Sequence, residues 1–304
     1  MPFSRREFLK SGLVLTGGAL LPRWADAAAP ANMPDVVHVT GGTPEMAVRR
    51  AIEGLGGIQR FVRAGQKVVI SPNVGFPNPP EMATTTDPLV VRAIIDLCKE
   101  ARAGKITVAN YPVRDPDICF RESKIGELAS INGVEVIPLN ANSAYTTVQI
   151  PDGVDAKEVE VATIVREADV FIAAPIAKTH SSTGVTFAMK LMMGVIRSRG
   201  PFHSRYDLNQ AIVDLSKVVK ANLIITDAQR ALVTRGPGGP GTIVRPNAIL
   251  AGTNQTTVDA YTVGLAQWYN RTFTAEQVRH LQLASEQGLG EIDVAKMNVR
   301  RVNL

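Results

Sequence analysis

The stretch Asp169-Val170-Phe171-Ile172-Ala173-Ala174-Pro175-Ile176-Ala177-Lys178-Thr179-His180 decides how the rest of the chain is read. Val170 to Ala174 is an apolar run too short for a helix, and Pro175 ends it, as expected of a fully buried strand. The chain then delivers Lys178, His180, Lys190 and His203 within one stretch of loop and helix, which holds two of the four histidines. Open α/β sheets build ligand crevices where a buried strand opens into polar loops at its carboxyl end. This segment is therefore expected to be both the middle of the sheet and the site.

Working outward, strands alternate with helices on both sides. Upstream, strand Asp35 to Thr40 precedes a helix from Pro44 to Val62, with Thr43 as N-cap and Pro44 at its first position. Strand Lys67 to Ser71 runs into Pro72-Asn73 and a loop rich in proline and glycine. Thr86-Asp87-Pro88 then caps a helix from Pro88 to about Ala103, ended by Gly104. Strand Lys105 to Ala109, helix Ile118 to Ile131 and strand Val134 to Pro138 come next. Short alternating pieces, Thr147 to Ile150 and Val159 to Val161, read as a small antiparallel excursion, and Ala162 to Ala168 as a short helix.

Downstream, Tyr206 to Lys220 is amphipathic, with Leu208, Ile212, Leu215 and Val219 on one stripe. Strand Leu223 to Thr226 ends in Asp227, and a glycine- and proline-rich loop spans Arg235 to Thr242. Strand Ala248 to Ala251, helix Thr256 to Gln267 and a terminal helix Ala275 to Gln287 complete the chain. The alternation predicts an α/β fold, a mostly parallel three-layer sheet forming one domain over residues 35–304.

The first residues are expected to lie outside that fold. Ser4-Arg5-Arg6-Glu7-Phe8-Leu9-Lys10 leads into the uncharged stretch Ser11 to Leu21, and Ala25-Asp26-Ala27 has small residues at signal-peptidase spacing. This resembles a twin-arginine signal, with cleavage near Ala27, the twin-arginine translocase as partner and a periplasmic address. Removing residues 1–27 takes away four basic and two acidic residues, so the formal charge of +5 becomes +3. So mild an excess, with no Lys/Arg run, gives no reason to expect nucleic-acid binding. No other apolar run is long enough for stable membrane insertion.

Two cysteines, Cys98 and Cys119, cannot by themselves ligate a cubane iron–sulfur cluster, which usually needs four. They are open to a disulfide in an oxidising compartment or to roles as buried apolar residues.

The polar residues have a common placement. Asn73, Asn110 and Asp227 each come directly after a strand, as Lys178 and His180 come after the central one, so parallel strands would bring them to one edge of the sheet. Lys178, His180 and Lys190 are the candidate catalytic groups. A lysine partly stripped of water acts as a base or nucleophile, and one that keeps its charge grips an anion; anion contact is the leading role. His180 and His203 are candidate metal ligands, with hydrogen-bonded contact as the alternative. Asn73, Asp227 and the loop glycines Gly236, Gly238 and Gly239 are candidate cofactor contacts, since such loops bring backbone N–H groups to an oxyanion. Met189, Met192 and Met193 read as core, His38 and His280 as structural. Asp259 is either an exposed helix charge or faces the crevice.

Pro72-Asn73, Thr86-Asp87-Pro88, Lys178-Thr179-His180, Met189-Lys190 with Gly194, His203, Asp227, Gly236-Pro237-Gly239 and Val258-Asp259-Ala260 resemble, in order, the domain-of-unknown-function 362 family. Some members of that family carry an added ferredoxin-like module with cysteine-ligated clusters, which this chain lacks. A fainter likeness is to the nickel-pincer lactate racemases, where a lysine and a later histidine hold the cofactor; Lys190, Gly194 and His203 occur in that order at a different spacing. Members of the family share no agreed reaction, so the functional expectation rests on the Lys- and His-lined crevice: an exported enzyme dependent on a transition metal or metal-containing cofactor, oxidoreductase first, with a small anionic ligand or substrate and a redox partner. The alternative is a non-catalytic periplasmic protein that captures an anion.

Overall fold

The computed structural model describes residues 33–304; the proposed signal, residues 1–27, lies outside them. The chain opens with β1 (Val36–Thr40) and α1 (Pro44–Gly54), whose Thr43 side chain accepts from the Met46 amide. Next come β2 (Lys67–Pro72) and α2 (Pro88–Glu100), capped by Asp87 through the Leu89 amide. After these lie β3 (Lys105–Asn110), α3 (Pro116–Glu122), β4 (Val134–Pro138), β5 (Tyr145–Gln149), β6 (Glu158–Ala162) and α4 (Thr163–Arg166). The central segment forms β7 (Val170–Ala174), β8 (Ile176–His180), β9 (Gly184–Thr186), α5 (Ala188–Leu191) and α6 (Gly200–Ser204). The remainder is α7 (Leu208–Val218), β10 (Leu223–Leu232), β11 (Ile243–Val244), β12 (Ala248–Gly252), α8 (Gln255–Val263), α9 (Arg279–Glu286) and β13 (Val299–Asn303).

The main sheet runs β13-β1-β12-β10-β7-β2-β3-β4. β10, β7, β2, β3 and β4 are parallel neighbours, β13 is parallel to β1, and β12 alone on this path runs against its neighbours. β5 and β6 form the expected small antiparallel sheet. Both faces of the main sheet are covered, which is why β7 is apolar at every position. Phe171 and Ala173 point into a core shared with α5, α7, α8 and α9, while Val170, Ile172 and Ala174 point into a second core with α1 and α2. The expected three layers are therefore present.

Several elements differ from the sequence expectation. The first helix stops at Gly54 instead of Val62, because Gly56 and Gly57 take φ of +97° and +89°. The helix expected over Ile118 to Ile131 breaks at Lys124, whose φ is 61°. The most consequential change comes after Pro175. The chain does not enter a loop there; it resumes as β8, parallel to β10, and turns back through β9. Proline ends the apolar run without ending the extended backbone, since its fixed φ suits a strand that has lost one ladder donor. Cys98 and Cys119 are both free and buried, and burial pushes the Cys98 thiol up to about 12.

Candidate functional site

The carboxyl ends of β2, β3 and β8 open on a crevice of about 430 Å³. Asn73 and Asn110 line it from the ends of β2 and β3, Lys178 and His180 from β8, Thr186 from β9, Lys190 from α5, Arg199 from just before α6 and His203 from near its end. The dispersed basic and imidazole groups therefore do converge. The lining holds three Lys or Arg side chains, two histidines and no Asp or Glu.

β8 places Lys178 and His180 two residues apart, on one side of an extended strand. Lys178 is 2% exposed. Its Nζ donates to the Thr84 carbonyl at 2.6 Å and lies 5.3 Å from the centre of the Phe76 ring. Carbonyl dipole and ring face hold a cation in place without neutralising it. Burial pushes the amine down to about 7, with the Lys190 charge adding to the effect.

Lys190, on the one-turn helix α5, has the Met193 sulfur, at 3.0 Å, as its side chain's only hydrogen-bond partner among the described residues. Burial and the nearby Arg199 charge bring it to about 8. Arg199 donates to the carbonyls of Tyr111 and Pro112 at 3.0 and 2.6 Å, with its guanidinium 4.6 Å from the Tyr111 ring centre.

His180 takes a defined tautomer. The Ser182 amide donates to its Nδ1 at 3.1 Å, so in the neutral ring the proton sits on Nε2. Burial, together with the Lys190 and Lys178 charges, lowers this imidazole to about 3, so it is neutral over the physiological range. In that tautomer Nε2 is a hydrogen-bond donor and Nδ1 already accepts from Ser182, so neither nitrogen of the neutral ring presents a lone pair to the crevice. His203 is exposed at the crevice mouth, its imidazole pushed down by burial and by the charges of Lys190 and Arg199. Among the described residues no group of three or more His, Cys, Asp or Glu side chains is gathered to hold a metal ion.

Of the expected cofactor contacts, only Asn73 lines the crevice. Its Oδ1 accepts from the Ile176 amide at 2.9 Å and so ties β8 to the end of β2, leaving Nδ2 as its free donor. Asp227 does not reach the crevice. β10 continues past it to Leu232, and its carboxylate accepts from the amides of Asp87 and Gln229. Burial raises it to about 6.

Gly236, Gly238 and Gly239 do not line the crevice; of this loop only Pro237 does. At Gly236 a Cβ would lie 1.9 Å from the Thr179 carbonyl oxygen, so glycine is there to let the loop lie against β8. The three methionines are buried core as expected.

Sequence reasoning does not single out Arg199, Thr186, Phe76 or Tyr111. Arg199 carries a signal, being a further basic residue between Lys190 and His203. Thr186 carries none: its hydroxyl is buried without a partner at the crevice wall, which only the fold reveals. Asp259 is neither exposed nor in the crevice. It is fully buried and accepts from the amides of Ala188 and Met189 at the start of α5.

The family model described as "Domain of unknown function (DUF362)" matches residues 68–264. The chain belongs to the DUF362 family. The match spans β2 to α8 and so includes all the basic residues of the crevice. A thylakoid-associated protein of Synechocystis sp. is 26% identical over 199 residues, 63% of this chain and 60% of the relative, so the DUF362 chain aligns with about three-fifths of that protein's length. The lactate racemase apoprotein from Thermoanaerobacterium thermosaccharolyticum superposes with a TM-score of 0.51 at 13% identity, over 79% of this chain and 60% of its own. That likeness is one of fold. No helix among the described residues is long and apolar enough to cross a membrane.

Proposed function

We propose that this DUF362 protein is an exported enzyme whose crevice binds an organic anion of cofactor size and transfers protons on it. The observation that carries this reading is a lining with Lys178, Lys190 and Arg199 and not one carboxylate. Cations withdrawn from water are normally paired; Lys178 is buried and Lys190 and Arg199 are half-buried, and these hold only carbonyls, ring faces and a thioether, so an anion in the crevice would be their counterion. The volume of about 430 Å³ suits a ligand larger than inorganic phosphate.

Arg199 is held as a charge contact. Lys178, lowered to about 7, and Lys190, lowered to about 8, bind the anion when protonated and exchange a proton near neutral pH. His180 donates from Nε2, and the unpartnered Thr186 hydroxyl is a further contact. Asn73 completes the set.

A metal held by protein ligands alone does not fit these residues, because no third ligand joins the histidines. A metal-containing cofactor that brings its own donors and negative charge does fit, held by Lys178, Lys190 and Arg199 with His203 as the single protein ligand. Such a group would supply the electron- or hydride-accepting chemistry of an oxidoreductase, while the lining side chains bind, orient and move protons. On this reading the protein acts in the periplasm, with a redox partner for turnover, and with neither nucleic acid nor a membrane among its partners.

Protein purified from its native host, examined by elemental analysis and visible spectroscopy, tests the reading. A stoichiometric chromophore or metal, lost in Lys190→Ala and His203→Ala, is the expected result. A colourless, metal-free protein that still shows saturable anion binding would support simple anion capture instead, and one with no anion binding would overturn both.

A further inference from the structure

Lys190 sits on a helix too short to hold its own direction. α5 has four residues, and one turn of helix is marginal without outside support. Its first amides need acceptors, and Phe187, which precedes it, supplies no side-chain cap. The acceptors come from 71 and 70 residues away: Asp259 Oδ1 takes the Ala188 amide and Oδ2 the Met189 amide, each at 2.8 Å. Asp259 is fully buried on α8, where Thr256 also meets the Met189 sulfur, at 3.6 Å. The other end of the segment is fixed as well. The Gly194 carbonyl accepts from the Tyr111 amide at 2.6 Å, and a Cβ at Gly194 would lie 2.2 Å from Asn110 Nδ2.

We propose that Asp259 is the positioning residue for Lys190: its carboxylate clamps the start of α5 and so sets where the Lys190 amine stands in the crevice. Burial raises Asp259 to about 8, but both oxygens accept from backbone amides, which favours the carboxylate form, and no ion-pair partner is present among the described residues, as expected of a group kept for orientation. Only the affinity arm of the test below rests on the anion-binding reading.

Asp259→Asn keeps the shape and one acceptor but turns the second oxygen into a donor facing an amide. Hydrogen exchange followed by mass spectrometry is expected to quicken in peptides covering 187–193 and to stay unchanged in β2. The dissociation constant for pyrophosphate is expected to weaken by about tenfold, as when an outer support of a ligating group is lost. Thr262→Val is the control: it removes a buried hydrogen bond to the Val258 carbonyl on the same helix and should move neither readout. Asp259→Ser, smaller and with one acceptor, gives the same contrast where the Asn variant does not fold.

Wild-type exchange over 187–193 in the Asp259 variants would overturn the proposal, as would equal losses in Thr262→Val. If the wild-type protein shows no saturable pyrophosphate binding, the anion reading fails while the exchange measurement still decides the clamp.

Discussion

Replacing Lys178 by methionine should stabilise the ligand-free protein at low pH while abolishing its grip on anions. A fully buried amine lowered from 10.5 to about 7 is costly to keep charged. At about 1.4 kcal/mol per pH unit, the shift corresponds to roughly 5 kcal/mol against folding below pH 7, where the lysine is protonated both folded and unfolded. Against this, methionine loses the bond to the Thr84 carbonyl and leaves that carbonyl unpaired, a cost of about 1–3 kcal/mol.

The thioether suits the place beside the Phe76 ring, so a net gain of roughly 2 kcal/mol at pH 6 is expected. As pH rises from 7 to 10.5 the unfolded chain binds more protons than the folded one, so wild-type stability climbs through that window and the variant's advantage vanishes. Urea denaturation at pH 6 and pH 10, with and without pyrophosphate, measures both effects. A variant less stable than wild type at pH 6, or a wild-type protein whose stability does not rise across that window, would refute the claim that Lys178 is an uncompensated buried cation.

Anion affinity should fall as pH rises through about 7 to 9, as Lys178 and Lys190 lose their protons, with no inflection from His180, which is neutral throughout that range; pyrophosphate titration by calorimetry reads this directly. Gly194→Ala forces its Cβ onto the Asn110 amide, which also bonds Ser71, and should cost about 1–3 kcal/mol by urea denaturation. Gly236→Ala meets the Thr179 carbonyl and should destabilise by a similar amount, the loss appearing as faster hydrogen exchange in β8. Arg199→Lys keeps the charge but cannot reach both the Tyr111 and Pro112 carbonyls in the same geometry, so pyrophosphate binding should weaken and stability should fall by about 1 kcal/mol, read by calorimetry and urea denaturation.

The sequence by itself determined the layered α/β class, because a strand covered on both faces must be apolar throughout, and Val170 to Ala174 is. It also determined that Lys178, His180, Lys190 and His203 would meet, since parallel strands deliver the residues beyond their carboxyl ends to one edge. The tertiary structure alone decided which polar groups stay at that edge. Asp227 reads as a strand end, but β12 pairs with β10 on past it, so the residue becomes a buried anchor for Asp87. The loop glycines read as an anion cradle, but Gly236 lies against β8, a strand hidden behind Pro175, and Gly238 against the Phe76 ring. Thr186 and Asp259 gain their meaning from neighbours far along the chain, and such distances leave no mark in spacing or periodicity.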